Sequence, residues 1–392
     1  MLISQAAFTV EIDDVEAAVA EIQEQLDVSK FKTHNLGLVS ALPAFIESGV
    51  VAALQEALPF DLVGQSTIGA SSAQSDDLDQ LSLLVLSSDD VEFSIAVSSP
   101  ITGETTAPVS EAYGEASTAH SEKPVFILGY FPLLHTASGD YFLNAMNEAS
   151  GGVPLFGCLA VDDTIDYHKS VVLYKDQSYS DQFVCVLFYG DVTPRYYVRG
   201  IACTKIIDEM GVVTSSLGSQ LQTVDDAPVS EFLKGKGIEP NDKGEFVGIN
   251  SFPYLVDYND GTEPVVRAMF AVTPEGYAVC GGDIPVGATL GVSFFDGEEI
   301  KEGSKAMLDA LATDIAAEGA NAILVFSCIG RYFNLDFNTD AEAQFAHEAF
   351  DASGIPYLFS YSGGELCPLP SAHESGSLIN RAHNNTIIAV TL

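Results

Sequence analysis

Residues 324–345 read LVFSCIGRYFNLDFNTDAEAQF: an apolar run breaks at Cys328-Ile329-Gly330-Arg331 ahead of a helical stretch. An uninterrupted apolar run of strand length marks a strand buried on both faces. The segment 355–362, IPYLFSYS, repeats the pattern. With a helix predicted near 340–352 between them, the two strands run parallel and leave the sheet at the same edge. Ligands of open α/β sheets bind at such an edge.

Working outward, a long helix is predicted over 301–318, with strands at 264–273, 277–281 and 288–295 before it and a closing strand TIIAVTL (386–392) after it. In the first half, helical spacing of Val15, Ala18, Val19, Ile22 and Leu26 predicts a helix over 13–27. A strand GLVSAL, a helix from Pro43 to Leu58 and a strand DLVGQS follow, and LSLLVLSS and VEFSIAVSS read as two strands joined by Asp89 and Asp90. Residues 104–123 are polar and read as helix or loop. Then come a buried strand PVFILGYF, a helix GDYFLNAMNEAS and a strand GGVPLFGCLAVDD that ends in paired acids. Between 168 and 203, HKSVVLYKD, QFVCVLFYG and RYYVRGIACT follow one another with short turns and predict an antiparallel meander. The pattern as a whole predicts an α/β protein of two domains with mixed, substantially antiparallel sheets covered by helices. A polar, Gly- and Pro-rich stretch near 215–245 sets the division: an extension over 1–28, a domain over 29–220 and a second over 221–392.

Of the 392 residues, 55 are acidic and 16 basic, a net charge of −39. Such a surface repels nucleic-acid phosphates and anionic lipid headgroups, so neither is an expected partner. No stretch approaches the roughly eighteen apolar residues of a membrane helix, and the first residues lack a signal peptide's basic start and apolar core. The six cysteines are scattered without a C-x-x-C pair, which predicts a reduced cytoplasmic protein with no disulfide framework and no structural metal.

Three turns carry the chemistry. After the strand at 61–66, Gly69-Ala70-Ser71-Ser72-Ala73 offers backbone N–H groups and the Ser71 and Ser72 hydroxyls to a carboxylate or phosphate, or serves only as a tight connection. Neither G-x-x-x-x-G-K-[ST], G-x-G-x-x-G nor G-x-S-x-G is present, which removes the main sequence support for nucleotide hydrolysis and for a common serine hydrolase. Of the adjacent Asp162 and Asp163, one at most faces a site, and a turn cap is the simpler reading. In FSCIGR, Arg331 beside Cys328 lowers a thiol pKa in principle. Arg331 in a cation-poor chain also invites a bidentate carboxylate, either a ligand's or that of Glu365 in SYSGGELCP.

Taken together, FSCIGR, IPYLFSYSGGELCP and AHNNTIIAVTL resemble, in order and spacing, the C-terminal FIST domain. PVVRAMFAVTPEGYAVCGGDIPVGATLGVSF resembles its upstream hairpins, and VPLFGCLAVDD and IGASSA are similar to turns of the N-terminal FIST domain. The resemblance runs from about residue 30 to the end. Cys328, Gly330, Arg331, Tyr361, Gly364, Glu365, His383, Asn384 and Thr386 keep the C-terminal pattern. Ala70 replaces a usual Cys, Gln74-Ser75 a Gly-Glu, Cys158 a Gly and Val161 a Gly. The resemblance implies a sensory module without a catalytic residue. It binds a small molecule, an amino acid or small carboxylate, and signals through a separate partner. Its ligand-binding set is Cys328, Arg331 for a carboxylate, Tyr361, Gly364, Glu365 for an ammonium, Asn384, Ser71, Ser72 and Asp162. No cofactor is expected; the alternatives are a haem-binding gas sensor, with His135 or His168 as axial ligand, and an enzyme using Cys328 or Glu365.

Overall fold

The computed structural model describes residues 1–103, 106–134, 137–164, 166–201, 205–335 and 338–392. The protein is α/β, with mixed and substantially antiparallel sheets covered by helices. Three sheets turn their inner faces toward one core. The first runs Ile3–Thr9, Leu81–Ser88, His34–Ala41, Asp61–Ser66, Val172–Tyr174, Gln177–Tyr179. The second runs Leu378–His383, Glu365–Pro370, Leu155–Leu159, Phe126–Phe131, Val184–Gly190, Val91–Val97. The third runs Arg195–Gly200, Thr386–Thr391, Ile323–Cys328, Tyr357–Ser362, Ala70–Ser72. Leu38 and Leu86 of the first sheet, Leu128 and Val186 of the second, and Phe326 and Ile388 of the third meet in a single buried cluster.

Each sheet is closed on its outer face by helices. Ile22 and Leu54 cover the first, Val109 and Phe142 the second, and Leu311 and Ala346 the third. Burial on both faces explains why strands such as Leu81–Ser88 lack the apolar–polar alternation of a half-exposed strand.

The stretch 168–203 departs from the expected meander. Val172–Tyr174 pairs antiparallel with Asp61–Ser66 in the first sheet. Val184–Gly190 inserts between Phe126–Phe131 and Val91–Val97 in the second, and Arg195–Gly200 pairs with Thr386–Thr391 in the third. The strands are antiparallel as read, but each goes to a different sheet. Val184–Gly190, apolar along almost its whole length, needs a partner on both edges and cover on both faces, which a two-edged meander on a surface does not supply. The sheets also cross the line drawn near residue 220. Ala70–Ser72 and Arg195–Gly200 join C-terminal strands, and Glu365–Pro370 pairs with Leu155–Leu159.

Smaller differences have local causes. Residues 3–9, read as part of an extension, form the edge strand against Leu81–Ser88. The helix expected from Pro43 to Leu58 is two, Pro43–Glu47 and Val50–Ala57, because Gly49 takes φ 89 between them. The long helix starts earlier than read, at Gly297, where Asp296 and Glu299 form a capping box. The unit Ile323–Cys328, helix Ala341–Phe350, Tyr357–Ser362 is parallel as expected, with Cys328 beside Ser362.

Residues 211–292 build a separate sheet of eight strands, from Val265–Arg267 at one edge to Met269–Val272 at the other. Its core of Leu221, Val224, Tyr254, Val256 and Leu290 also takes in Leu369 and packs against Val198 and Ile207 from outside that range.

Candidate functional site

The exits of Ile323–Cys328 and Tyr357–Ser362 lie side by side, and the motifs read from the sequence gather there. Their side chains sort to two faces of the sheet. On the helix-covered face, Arg331 is fully buried, and its Nε and Nη2 donate to Glu342 Oε1 at 2.9 and 2.8 Å. Nη2 also donates to Ser304, and Nη1 to the Asn385 carbonyl at 3.4 Å. Glu342 Oε2 accepts Ser327 Oγ at 2.7 Å. This network binds the strand end to the helices Ala341–Phe350 and Gly297–Glu318.

Arg331 therefore has a protein carboxylate as its mate, but it is Glu342 and not Glu365. A signal for this was present in the sequence. Glu342 sits among Ala341, Ala343, Ala346 and Phe350, an acid on an otherwise apolar helical face, and a buried acid needs a partner. Tyr361 belongs to the same face, its hydroxyl donating to the Thr339 carbonyl at 3.1 Å.

Cys328 and Glu365 occupy the other face. Glu365 Oε1 accepts Ser362 Oγ at 2.7 Å, while Oε2 has no hydrogen-bond partner among the described residues. Burial pushes the Glu365 carboxyl well above the usual carboxylate range, against the opposing pull of Ser362, Arg331 and Cys328. Burial also pushes the Cys328 thiol up, and Glu365 adds to it. The N–H groups of Gly330 and Asn385 and the charge of Arg331 oppose these effects without overcoming them. Burial thus outweighs Arg331 at Cys328 and shifts the thiol toward its protonated form, and the Glu365 carboxyl is shifted the same way. Gly330 has a steric reason of its own, since a Cβ there would stand 2.2 Å from Asn385 Oδ1.

The remaining motif residues knit the chain. Ser71 and Ser72 are buried in the strand Ala70–Ser72, paired against Tyr357–Ser362, so that IGASS is sheet edge and not an open turn. Asp162 is a turn cap. Its Oδ1 accepts the Thr164 N–H at 2.6 Å, and its Oδ2 accepts the Lys169 N–H and Ser170 Oγ, each at 2.8 Å. The Gly364 carbonyl accepts the Leu159 N–H at 2.8 Å. Asn384 Oδ1 accepts the Ala268 N–H at 3.2 Å, and its Nδ2 donates to the His383 carbonyl at 3.0 Å.

His383 is buried, 3.0 Å from the Cys367 carbonyl through Nε2. Burial lowers its pKa to about 3, so the ring is neutral at physiological pH. Of the candidate haem ligands, His168 is exposed and 2.7 Å from Asp166 Oδ1, and His135 lies outside the described residues. Among the described residues no group of three or more His, Cys, Asp or Glu side chains is placed to hold a metal ion.

A cleft of about 510 Å³ opens on the far side of the hairpin turn His383–Thr386. His383 and Thr386 line it, with Val198 and Arg199 from the strand Arg195–Gly200 and Glu263 and Val266 from the separate sheet's region. Its size falls in the range of small-molecule sites. Arg199 and Glu263 are exposed and make no hydrogen bond or ion pair among the described residues. Sequence reading passed both over. Arg199 interrupts the apolar RYYVRGI, and an unpaired Arg in so acidic a chain was the available signal.

The architecture and this strand-end arrangement define an α/β protein whose motif residues gather at one sheet edge and beside a cleft. The chain belongs to the FIST family: the FIST N domain matches residues 35–227 and the FIST C domain residues 231–368. No curated protein matches the sequence. Among solved structures, cyanuric acid hydrolase from A. caulinodans is 12% identical with a TM-score of 0.37, over 100% of this chain and 99% of that one. T. maritima PurL complexed with ATP is 8% identical with a TM-score of 0.19, over 100% of this chain and 71% of that one. Likenesses so remote carry no functional argument. FIST domains are sensory domains, and no described helix is long and apolar enough to cross a membrane.

Proposed function

We propose that the protein is a sensory binding protein whose cleft takes an amino acid or small carboxylate and whose bound state is read by a separate signalling partner. The cleft carries this reading. It has the volume of a small ligand, motif residues His383 and Thr386 in its wall, Glu263 in its lining and Arg199 at its edge, neither charge with a hydrogen-bond or ion-pair partner among the described residues. Glu263 accepts from an ammonium group, and Arg199, whose stem lies against Gly303, offers an exposed planar fork to a carboxylate. Cys328, Arg331, Tyr361, Glu365 and Asn384 act behind the wall, holding the hairpin that shapes it. A thiol held protonated is a poor nucleophile, which favours binding over catalysis at Cys328. The free, buried state of the five described cysteines and the net charge of −39 support a reducing, cytoplasmic setting.

Calorimetry with a panel of amino acids and small dicarboxylates tests the reading. Arg199→Ala is expected to weaken the ligand that binds by roughly ten- to a hundredfold, about 1.5–3 kcal/mol, the worth of a hydrogen bond to a charged group. Its melting temperature stays close to the parent's, since Arg199 is exposed and makes no hydrogen bond or ion pair among the described residues. Equal affinity in the Arg199→Ala and parent proteins would place the ligand elsewhere.

A further inference from the structure

The cleft has an exposed rim and a buried wall. Glu263 is exposed at its edge, while Val266, Leu369, His383 and Thr386 are buried. Strand alternation fixes which side chains reach the space. Leu369 lines the cleft, and Glu365 lies four residues before it on the same face of the strand. His383 stands opposite Glu365 in the ladder, so its ring shares the face of Leu369. Thr386 stands opposite Gly200, where a Cβ would come 3.7 Å from Thr386 Oγ1 and 3.0 Å from Val266 Cγ2. Gly200 thus leaves open the space between Thr386 and Val266, and all three residues line the cleft.

Both polar side chains of the buried wall have spent their hydrogens inside the protein. His383 Nε2 is 3.0 Å from the Cys367 carbonyl, which can only accept, so the proton of the neutral ring sits on Nε2 and Nδ1 carries a lone pair. Nδ1 has no hydrogen-bond partner among the described residues, and it is not sealed from solvent as the unpartnered Tyr254 hydroxyl is. Thr386 Oγ1 donates its one hydrogen to the Asn384 carbonyl at 2.8 Å, which leaves that oxygen as an acceptor too. Burial, and then the charges of Arg267 and Arg381, hold the His383 ring neutral against the pull of the Cys367 carbonyl. The same two guanidiniums disfavour a cation beside Nδ1, although Asp140 and Asp260 pair with them. Around these acceptors the wall is apolar, with Val198, Leu255, Val266 and Leu369.

We propose that this wall selects the side chain of a bound amino acid: His383 Nδ1 and Thr386 Oγ1 accept from an uncharged N–H or O–H group carried on an apolar body, as in tyrosine, threonine or glutamine. The inference rests on the cleft being the ligand site, as proposed above, with the ammonium group left to Glu263 at the rim. A wall that only accepts rewards a ligand that brings hydrogens. It penalises an isostere that brings none, because the lone pairs then lose water without replacement.

Calorimetry on the full chain compares pairs that differ by one donor: tyrosine with phenylalanine, threonine with valine, and glutamine with methionine, with lysine as the charged control. In the pair that binds, the donor-bearing member is expected to bind roughly tenfold or more tightly than its isostere, and lysine more weakly than that member. His383→Gln keeps an amide N–H for the Cys367 carbonyl but has no ring nitrogen at the Nδ1 position, and is expected to bring the ratio close to one. Gly200→Val fills the cleft and is expected to weaken both members alike. Nuclear magnetic resonance of the parent protein with isotopically labelled histidine adds a readout that needs no variant to fold: the His383 Nδ1 resonance moves upfield when that nitrogen accepts a hydrogen bond. A ratio near one in the parent, a ratio that survives in His383→Gln, tighter binding of lysine, or a bound ligand that leaves the Nδ1 resonance in place overturns the inference. If Gly200→Val still weakens binding in those cases, the cleft stands as the ligand site and only the proposed selectivity is lost. No binding by any member of the panel overturns both readings.

Discussion

Arg331 and Arg199 both lie against the helix Gly297–Glu318, and they represent two different uses of one residue type. Arg331 is buried, with Glu342, Ser304 and the Asn385 carbonyl as partners. Arg199 is exposed at the cleft and has no hydrogen-bond or ion-pair partner among the described residues. The arginine inside the recognisable motif holds the wall together, and the one outside it stands exposed at the edge of the cleft. A fully satisfied guanidinium has no fork left to offer, whereas an unsatisfied one in water awaits an acceptor. The comparison teaches that residues defining a family motif can mark the frame of a site while its contacts sit on neighbouring strands.

The comparison breaks most visibly at the buried pair. Glu342→Ala leaves Arg331 charged and unpaired in the core, and is expected to cost about 3–5 kcal/mol, a large share of the stability of an ordinary domain. Replacing both partners, Arg331→Met with Glu342→Leu, is expected to be close to neutral, because neither charge is then stranded. Denaturant titration of the two variants decides the matter. If both prove equally unstable, packing and not charge pairing holds the strand end.

Gly330→Ala sharpens the same side of the comparison. Its Cβ has to displace the Asn385 side chain, and overpacking of this kind costs about 1–3 kcal/mol. The effect is read as a lower melting temperature, and Gly330→Ala with Asn385→Ala is expected to recover part of it. No recovery would mean that the glycine serves its backbone conformation instead.

The most gradual effect comes from pH. Glu365 has its folded pKa raised, so the stability from its neutral form is complete below the unfolded value near 4.3 and is lost as pH rises toward the folded value. His383 has the opposite sign: lowered to about 3, it loses stability as pH falls from about 6.5 toward that value. Each contributes a slope of at most about 1.4 kcal/mol per pH unit within its window. Glu365→Gln is expected to remove the decline on the alkaline side and leave the acid side intact. Unfolding curves across pH for the parent and Glu365→Gln proteins check this, and an unaltered alkaline limb would assign the decline to other groups.

The amino-acid sequence by itself determined which segments are strands and helices, that the protein is α/β with much antiparallel pairing, and which family it belongs to. Those properties depend on short-range signals: apolar runs in LSLLVLSS and LVFSC, helical spacing in residues 15–26, and compact motifs such as FSCIGR. Tertiary structure alone decided that the strands between 172 and 200 divide among three different sheets, that Arg331 chooses Glu342 over Glu365, and that Arg199 and Glu263 line one cleft. The physical reason is that each of these depends on what stands on the far side of a buried element. Ala70 meets Ser360, and Glu365 meets Cys158, across hundreds of residues of chain. A strand apolar on both faces specifies burial without naming its neighbours, and an arginine specifies an acceptor without naming which one. Packing of all three sheets around one core makes those choices together.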